Sequence, residues 1–141
     1  MKATIATDGE FAGWEYWPEE EFESRAGPFY RTIDEQGVLG AFRAESRHMN
    51  AGGSVHGGCL MTFADFMLFS IAMDYFRNGE MGVTLTCNSE FVDAARLGEK
   101  LTSRGEVVRA GKSIIFVRGM IYAEDRPCLS FSGSIKRFLA R

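Results

Sequence analysis

The sequence of 141 residues predicts an α+β domain in which an antiparallel sheet of five to six strands wraps one long central helix. Three observations carry that expectation. Residues 59–76 have almost no polar side chains besides Thr62, Asp65, Ser70 and Asp74, and a helix that is apolar all round is a buried one. From Gly82 onward the pattern changes to the period of two that marks strands. The length, set against a prior of about 150 residues per domain, accommodates one core.

Residues 1–25 read as a polar, acidic N-terminal extension, and residues 26–141 as the domain itself. In the extension, Pro18 followed by Glu19, Glu20 and Glu21 signals a helix start: proline fits the first turn, and carboxylates favour the positive end of the helix dipole. Trp14, Tyr16, Trp17 and Phe22 would dock this short helix, and Gly27-Pro28 breaks it. Residues 29–33 and 38–43 then read as short strands around the turn residues 34–37. Gly57-Gly58 opens the buried run, and Arg77-Asn78-Gly79 closes it. In the next strand Val83, Leu85, Cys87, Ser89 and Phe91 alternate with Thr84, Thr86, Asn88, Glu90 and Val92. Residues 101–109 and 113–122 flank the hairpin turn Ala110-Gly111-Lys112, and Glu124-Asp125-Arg126-Pro127 precedes a last strand at 128–138.

Composition narrows the function. Sixteen Lys and Arg against nineteen Asp and Glu give a formal net charge of −3, so the basic face of a nucleic-acid binder is not expected. Cys59, Cys87 and Cys128 form no CxxC pair, which points to free thiols and a cytoplasmic location; the N-terminus beginning Met1-Lys2 lacks the apolar core of a secretory signal. A membrane span is disfavoured because two aspartates interrupt an apolar stretch already short of about 18 residues. With His48 and His56 as the only histidines and no HExxH, neither a metal nor another cofactor is expected.

Polar side chains and flexible backbone concentrate in one place, the segment from His48 to Gly58 directly before the buried helix. N–H groups at a helix N-terminus lack intrahelical partners, so Gly57 and Gly58 are candidates to approach a developing oxyanion, unless they are plain turn residues. Asp65 is the second anomaly. A carboxylate in a helix without a solvent face must be hydrogen-bonded, protonated or functional, whereas Asp74 reads as surfacing near the helix end. Asp65 lies eight residues after Gly57, roughly 12 Å along a helix, so a single carbonyl meets both only if two chains contribute, one the glycine and the other the aspartate. That demand predicts a symmetric dimer with two composite sites. Cys59 beside His56 offers a competing nucleophile pair, and Ser54 lacks the GxSxG elbow.

The spacing Asn50-x5-His56-Gly57-Gly58-x6-Asp65, followed by Gly82-Val83-Thr84 and by Gly98-Glu99-Lys100-Leu101 leading into Arg109-x-Gly111-Lys112, resembles the hotdog-fold acyl-CoA thioesterases of the PaaI and acyl-CoA thioesterase 13-like family over residues 28–138. The resemblance implies a hotdog fold, dimers that pair further into tetramers, and hydrolysis of an acyl-CoA thioester. It casts Asp65 as nucleophile or general base and Gly57 as the backbone donor that polarises the carbonyl. Asn50 would orient water or the thioester, His56 would support the loop, and Thr84 would position Asp65 or the water. Gly58 and the turn Arg109, Gly111, Lys112 and Ser113 would bind substrate beside the pantetheine arm and CoA phosphates. A non-catalytic acyl-CoA-binding module on the same fold is the alternative, against which the retained Asp65 speaks. Phe63, Phe66, Met67, Phe69 and Met73 would suit an aromatic or a medium-chain acyl group equally, and most of them must simply be core.

Overall fold

The structure, a computed structural model, describes residues 2–141; Met1, the first residue of the extension, lies outside the described residues. In chain order the elements are β1 (Thr4–Ile5), β2 (Glu15–Tyr16), α1 (Glu21–Ala26), β3 (Tyr30–Asp34), β4 (Gly37–Arg43), a 3-10 turn (Ser46–His48), α2 (Gly57–Ala72) with a 3-10 continuation (Met73–Tyr75), β5 (Glu80–Phe91), β6 (Lys100–Ala110), β7 (Ile114–Ala123) and β8 (Arg126–Leu139). Among the described residues the strands form one antiparallel sheet in the order β1-β2-β3-β4-β6-β7-β8-β5, wrapped around α2.

The sheet therefore has eight strands where five to six were predicted. The additional pair, β1 and β2, comes from the N-terminal extension. Strands of two residues are too short to show a period, and these are held by the pairings Thr4↔Tyr16 and Glu15↔Arg31. Aromatic packing fixes them: Phe11 stacks on Tyr30 at 4.5 Å, Trp14 meets Phe11 edge-on at 5.2 Å, and the Lys100 ammonium lies 5.5 Å from the Phe11 ring centre. Trp14 and Trp17 are half-buried; the aromatic this segment leaves in water is Phe22. The short helix starts at Glu21, after a turn closed by the Glu20 N–H donating to the Trp17 carbonyl at 3.1 Å.

The core lies between α2 and the inner face of the sheet. Phe63, Ala64, Met67 and Leu68 of the helix are buried with Leu101 of β6, Ile115 and Ile121 of β7, and Leu129 and Ile135 of β8. At two points glycine is the residue that lets helix and sheet meet this closely. A Cβ on Gly105 would lie 2.7 Å from Ile71 Cδ1 and press on the Arg118 carbonyl, and one on Gly133 would lie 2.6 Å from Leu68 Cδ1. By length and composition the helical run Gly57–Tyr75 is apolar enough to cross a bilayer. In this fold the sheet supplies the apolar surroundings instead.

Simple alternation fails in β5. The pairing of β5 with β8 shifts register between Thr84 and Thr86, which leaves Leu85 as an extra residue in a bulge. On either side of it Thr84 faces Ile135, while Cys87, Ser89 and Phe91 face Gly133, Phe131 and Leu129, so all four share the inner face. A strand of constant phase would put Thr84 on the opposite face from Cys87. Because Gly105 has no room for a methyl group, Gly105→Ala is expected to lower unfolding free energy by about 1–3 kcal/mol, read from the denaturant midpoint.

Candidate active site

Asp65 sits midway along α2 and is half-buried. Its Oδ1 accepts a hydrogen bond of 2.6 Å from Thr84 Oγ1, which satisfies one carboxylate oxygen and fixes the side chain's orientation. The carboxylate opens into a cleft of about 380 Å³ between α1 and α2, with Phe66, Phe69, Ser70 and Met73 on the helix side and Gly82 on β5. The opposite wall is Trp17, Glu20 and Glu23 from the N-terminal extension. That wall is anchored along its length. The Trp17 ring meets Phe66 edge-on at 5.9 Å, Ser24 Oγ donates to the Pro18 carbonyl at 3.0 Å, and the Arg47 guanidinium donates to the carbonyls of Arg25 and Gly27. Buried His48 accepts the Glu45 N–H at Nδ1 (2.9 Å), which assigns its proton to Nε2, where it donates to the Gly27 carbonyl at 3.0 Å. Burial, with the carboxylates of Glu20 and Asp65 adding repulsion, pushes the Glu23 carboxyl up to about 7.

The loop before α2 holds the second group of candidate residues. Asn50 Oδ1 accepts from the N–H groups of Gly52 (2.9 Å) and Ser54 (3.0 Å), an Asx turn that shapes the loop and leaves the Asn50 amide NH2 as its outward donor. His56 caps α2: its Nδ1 accepts the Gly58 N–H at 2.8 Å. Gly58 is thus already engaged, and Gly57 carries the N–H that finds no partner among the described residues. Gly57 and Asn50 open into a smaller cleft of about 290 Å³ with Leu60, Phe91 and Asp93. Cys59, the competing nucleophile, is pushed up to about 11 by burial, so at neutral pH it stays a thiol.

Within one chain, then, the predicted residues form separate groups. Asp65 and Thr84 meet; Asn50, His56, Gly57 and Gly58 meet; the two groups open into different clefts, about 12 Å apart along α2. The 109–113 segment borders neither cleft. Arg109 is exposed on the outer face, and the Gly111 and Ser113 carbonyls are held by buried Arg137, from its guanidinium and its N–H respectively. Among the described residues, no cluster of His, Cys, Asp or Glu is arranged to hold a metal ion. The sequence reading missed Trp17, Glu20 and Glu23 as cleft residues. The signal is the run of aromatics and glutamates itself, which reads as a docked helix start.

One long helix wrapped by an antiparallel sheet is a hotdog fold. The model of the thioesterase superfamily matches residues 52–130, and the chain belongs to that superfamily. It is 34% identical over 109 residues to a Pseudomonas aeruginosa protein named as an esterase, covering 76% of this chain and 81% of that one. It is 30% identical to human acyl-coenzyme A thioesterase 13 over 79 residues, 56% of each chain, so the match spans about half of that enzyme. Solved structures share the fold. A Streptococcus pneumoniae thioesterase protein with coenzyme A superposes with a TM-score of 0.70 at 23% identity, covering 80% of this chain and 88% of that one. A mutant of the phenylacetic acid degradation protein PaaI of Thermus thermophilus gives 0.73 at 18% identity, covering 84% and 100%.

The raised carboxyl of Glu23 links stability to pH. Stability tied to its protonation is fully present below the unfolded value near 4.5 and is lost as pH rises through about 7. Glu23→Gln removes that loss, so its unfolding free energy should exceed the wild type's at pH 8 by on the order of 1 kcal/mol after solvent screening, read as a higher melting temperature, and by much less at pH 5. Equal shifts at the two pH values, in thermal unfolding of both proteins, would show that Glu23 is not the linked group.

Proposed function

We propose that the protein hydrolyses acyl-CoA thioesters to a carboxylic acid and free CoA, at two sites each shared between the subunits of a homodimer. The observation that carries this reading is Asp65, oriented by Thr84 and open to a cleft with apolar walls, in a chain of the thioesterase superfamily. Relatives named as acyl-CoA thioesterases and a structural relative holding coenzyme A supply the substrate class. Asp65 Oδ2, the oxygen not engaged by Thr84, attacks the thioester carbonyl or takes a proton from the water that does. The carbonyl oxygen gains negative charge and is stabilised by the Gly57 N–H at the positive end of a helix. The C–S bond breaks, the CoA thiolate leaves and is protonated, and water supplies the oxygen of the released acid. Asn50 orients water or the thioester through its amide NH2, His56 keeps the loop in shape, and Arg109 and Lys112 lie exposed to meet CoA phosphates.

The separation of Gly57 from Asp65 favours a composite site, and β5 supplies a reason for two chains to meet. It is the edge of the sheet beyond β8, and it exposes Met81, Val83 and Leu85 at 55%, 47% and 49%. An edge strand with an apolar outer row invites pairing. A second copy lying along it would bring one chain's Asp65 towards the other's Gly57, and such dimers would pair further into tetramers. Free Cys59, Cys87 and Cys128 fit a cytoplasmic enzyme.

Asp65→Asn should lower kcat by at least about 10²-fold while the protein still binds acyl-CoA, measured as thiol release from a panel of short, medium, long and aromatic acyl-CoAs. Retention of most activity would remove Asp65 from the mechanism. The shared site is tested by mixing Asp65→Asn with Gly57→Pro, which deletes the donor at a helix position that tolerates proline. Random hybrid dimers should recover about a quarter of wild-type activity, because half of the dimers are hybrids with one intact site of two. Proven hybrids without activity would place both groups of each site on one chain.

A further inference from the structure

We infer that the wall contributed by the N-terminal extension sets the acyl selectivity of the Asp65 cleft, with Glu23 as the residue that excludes acyl chains ending in an anion while uncharged chains enter. The inference rests on the thioesterase reading of that cleft and names the substrate class it takes. Glu23 and Glu20 border Asp65 on both of its open sides: they line the large cleft with Trp17 and Phe69, and a second hollow of about 330 Å³ with Met61 and Thr62. No lysine or arginine is among the residues lining either space. The Glu23 carboxylate accepts no hydrogen bond from another group of the described residues, so it faces the cleft without a structural partner.

An acyl chain entering this space meets Trp17, Phe66, Phe69 and Met73, surfaces that take CH2 groups out of water favourably. A chain ending in a carboxylate would have to shed its hydration among like charges with no cation to receive it. The wall cannot step aside at no cost, because Trp17 is packed on Phe66 and the end of α1 is held through the Gly27 carbonyl by Arg47 and His48. The matched thioesterase region begins at residue 52, so this wall lies outside it.

The test compares octanoyl-CoA with the thioester of the same chain carrying a terminal carboxylate, at pH 8, in wild-type protein and in Glu23→Gln. Wild type should favour octanoyl-CoA in kcat/KM by about a hundredfold, and Glu23→Gln should narrow that ratio about tenfold. The matching pair of non-hydrolysable CoA thioethers, titrated by calorimetry, reads the same ratio in binding even if the variant turns over poorly. A wild type that treats both chains alike, or a ratio that stays within about twofold in the variant, overturns the inference while octanoyl-CoA turnover leaves the thioesterase reading standing. Failure of the wild type both to hydrolyse either thioester and to bind either thioether overturns the two together.

Discussion

A helix with no polar face has to be covered on all sides, and this demand organises the whole molecule. The sheet answers it by wrapping α2 with β4 through β8, lowering its own profile at Gly105 and Gly133 where Ile71 and Leu68 come closest. Where the sheet stops, the N-terminal extension takes over: Trp17 lies on Phe66, and α1 closes the flank beyond it. The cleft is the gap left between these two covers. Asp65 is at this gap, and not elsewhere on the helix, because it is where a carboxylate has both a protein partner and open space.

The electrostatics of the gap follow from its construction. Thr84 satisfies one oxygen of Asp65 and leaves the other outward. Packing α1 over the same space sets Glu23 against Asp65 and Glu20 in partial burial, and its carboxyl rises to about 7 as a result. Burial acts in the same direction on Cys59 and Cys128, whose thiols rise to about 11. Both thiols are thereby held protonated at neutral pH.

The buried helix, the short β3–β4 pair and the long hairpin of β6 and β7 were legible because each has a strong period or a turn signal. The Asn50 to Asp65 pattern was legible through its resemblance to a known family, and the gap between Gly57 and Asp65 because a helix turns sequence separation directly into distance. β1 and β2 were not legible: two residues carry no period, and their pairing depends on Phe11, Trp14 and Tyr30 meeting across the chain. Glu20 reads as part of a helix start and Glu23 draws no assignment, since nothing local tells a glutamate at a short helix that a second carboxylate lies across a cleft. The partner of Asp65 was named from resemblance, while the alternation in β5 put it on the wrong face, because a bulge leaves no mark on composition.

That bulge gives β5 an uneven tolerance to change. Leu85 is half-exposed and its side chain bears little on the core, so the fold of one chain asks little of that side chain beyond the apolar outer row it shares with Met81 and Val83. Its backbone is indispensable as a count, for it is the one extra residue that keeps Thr84 and Cys87 on the same face. Losing one residue there, or gaining one between Thr84 and Thr86, would turn half of the strand over relative to the other half and carry the hydroxyl away from the carboxylate. At this position the fold holds the number of residues more tightly than the identity of the one that bulges.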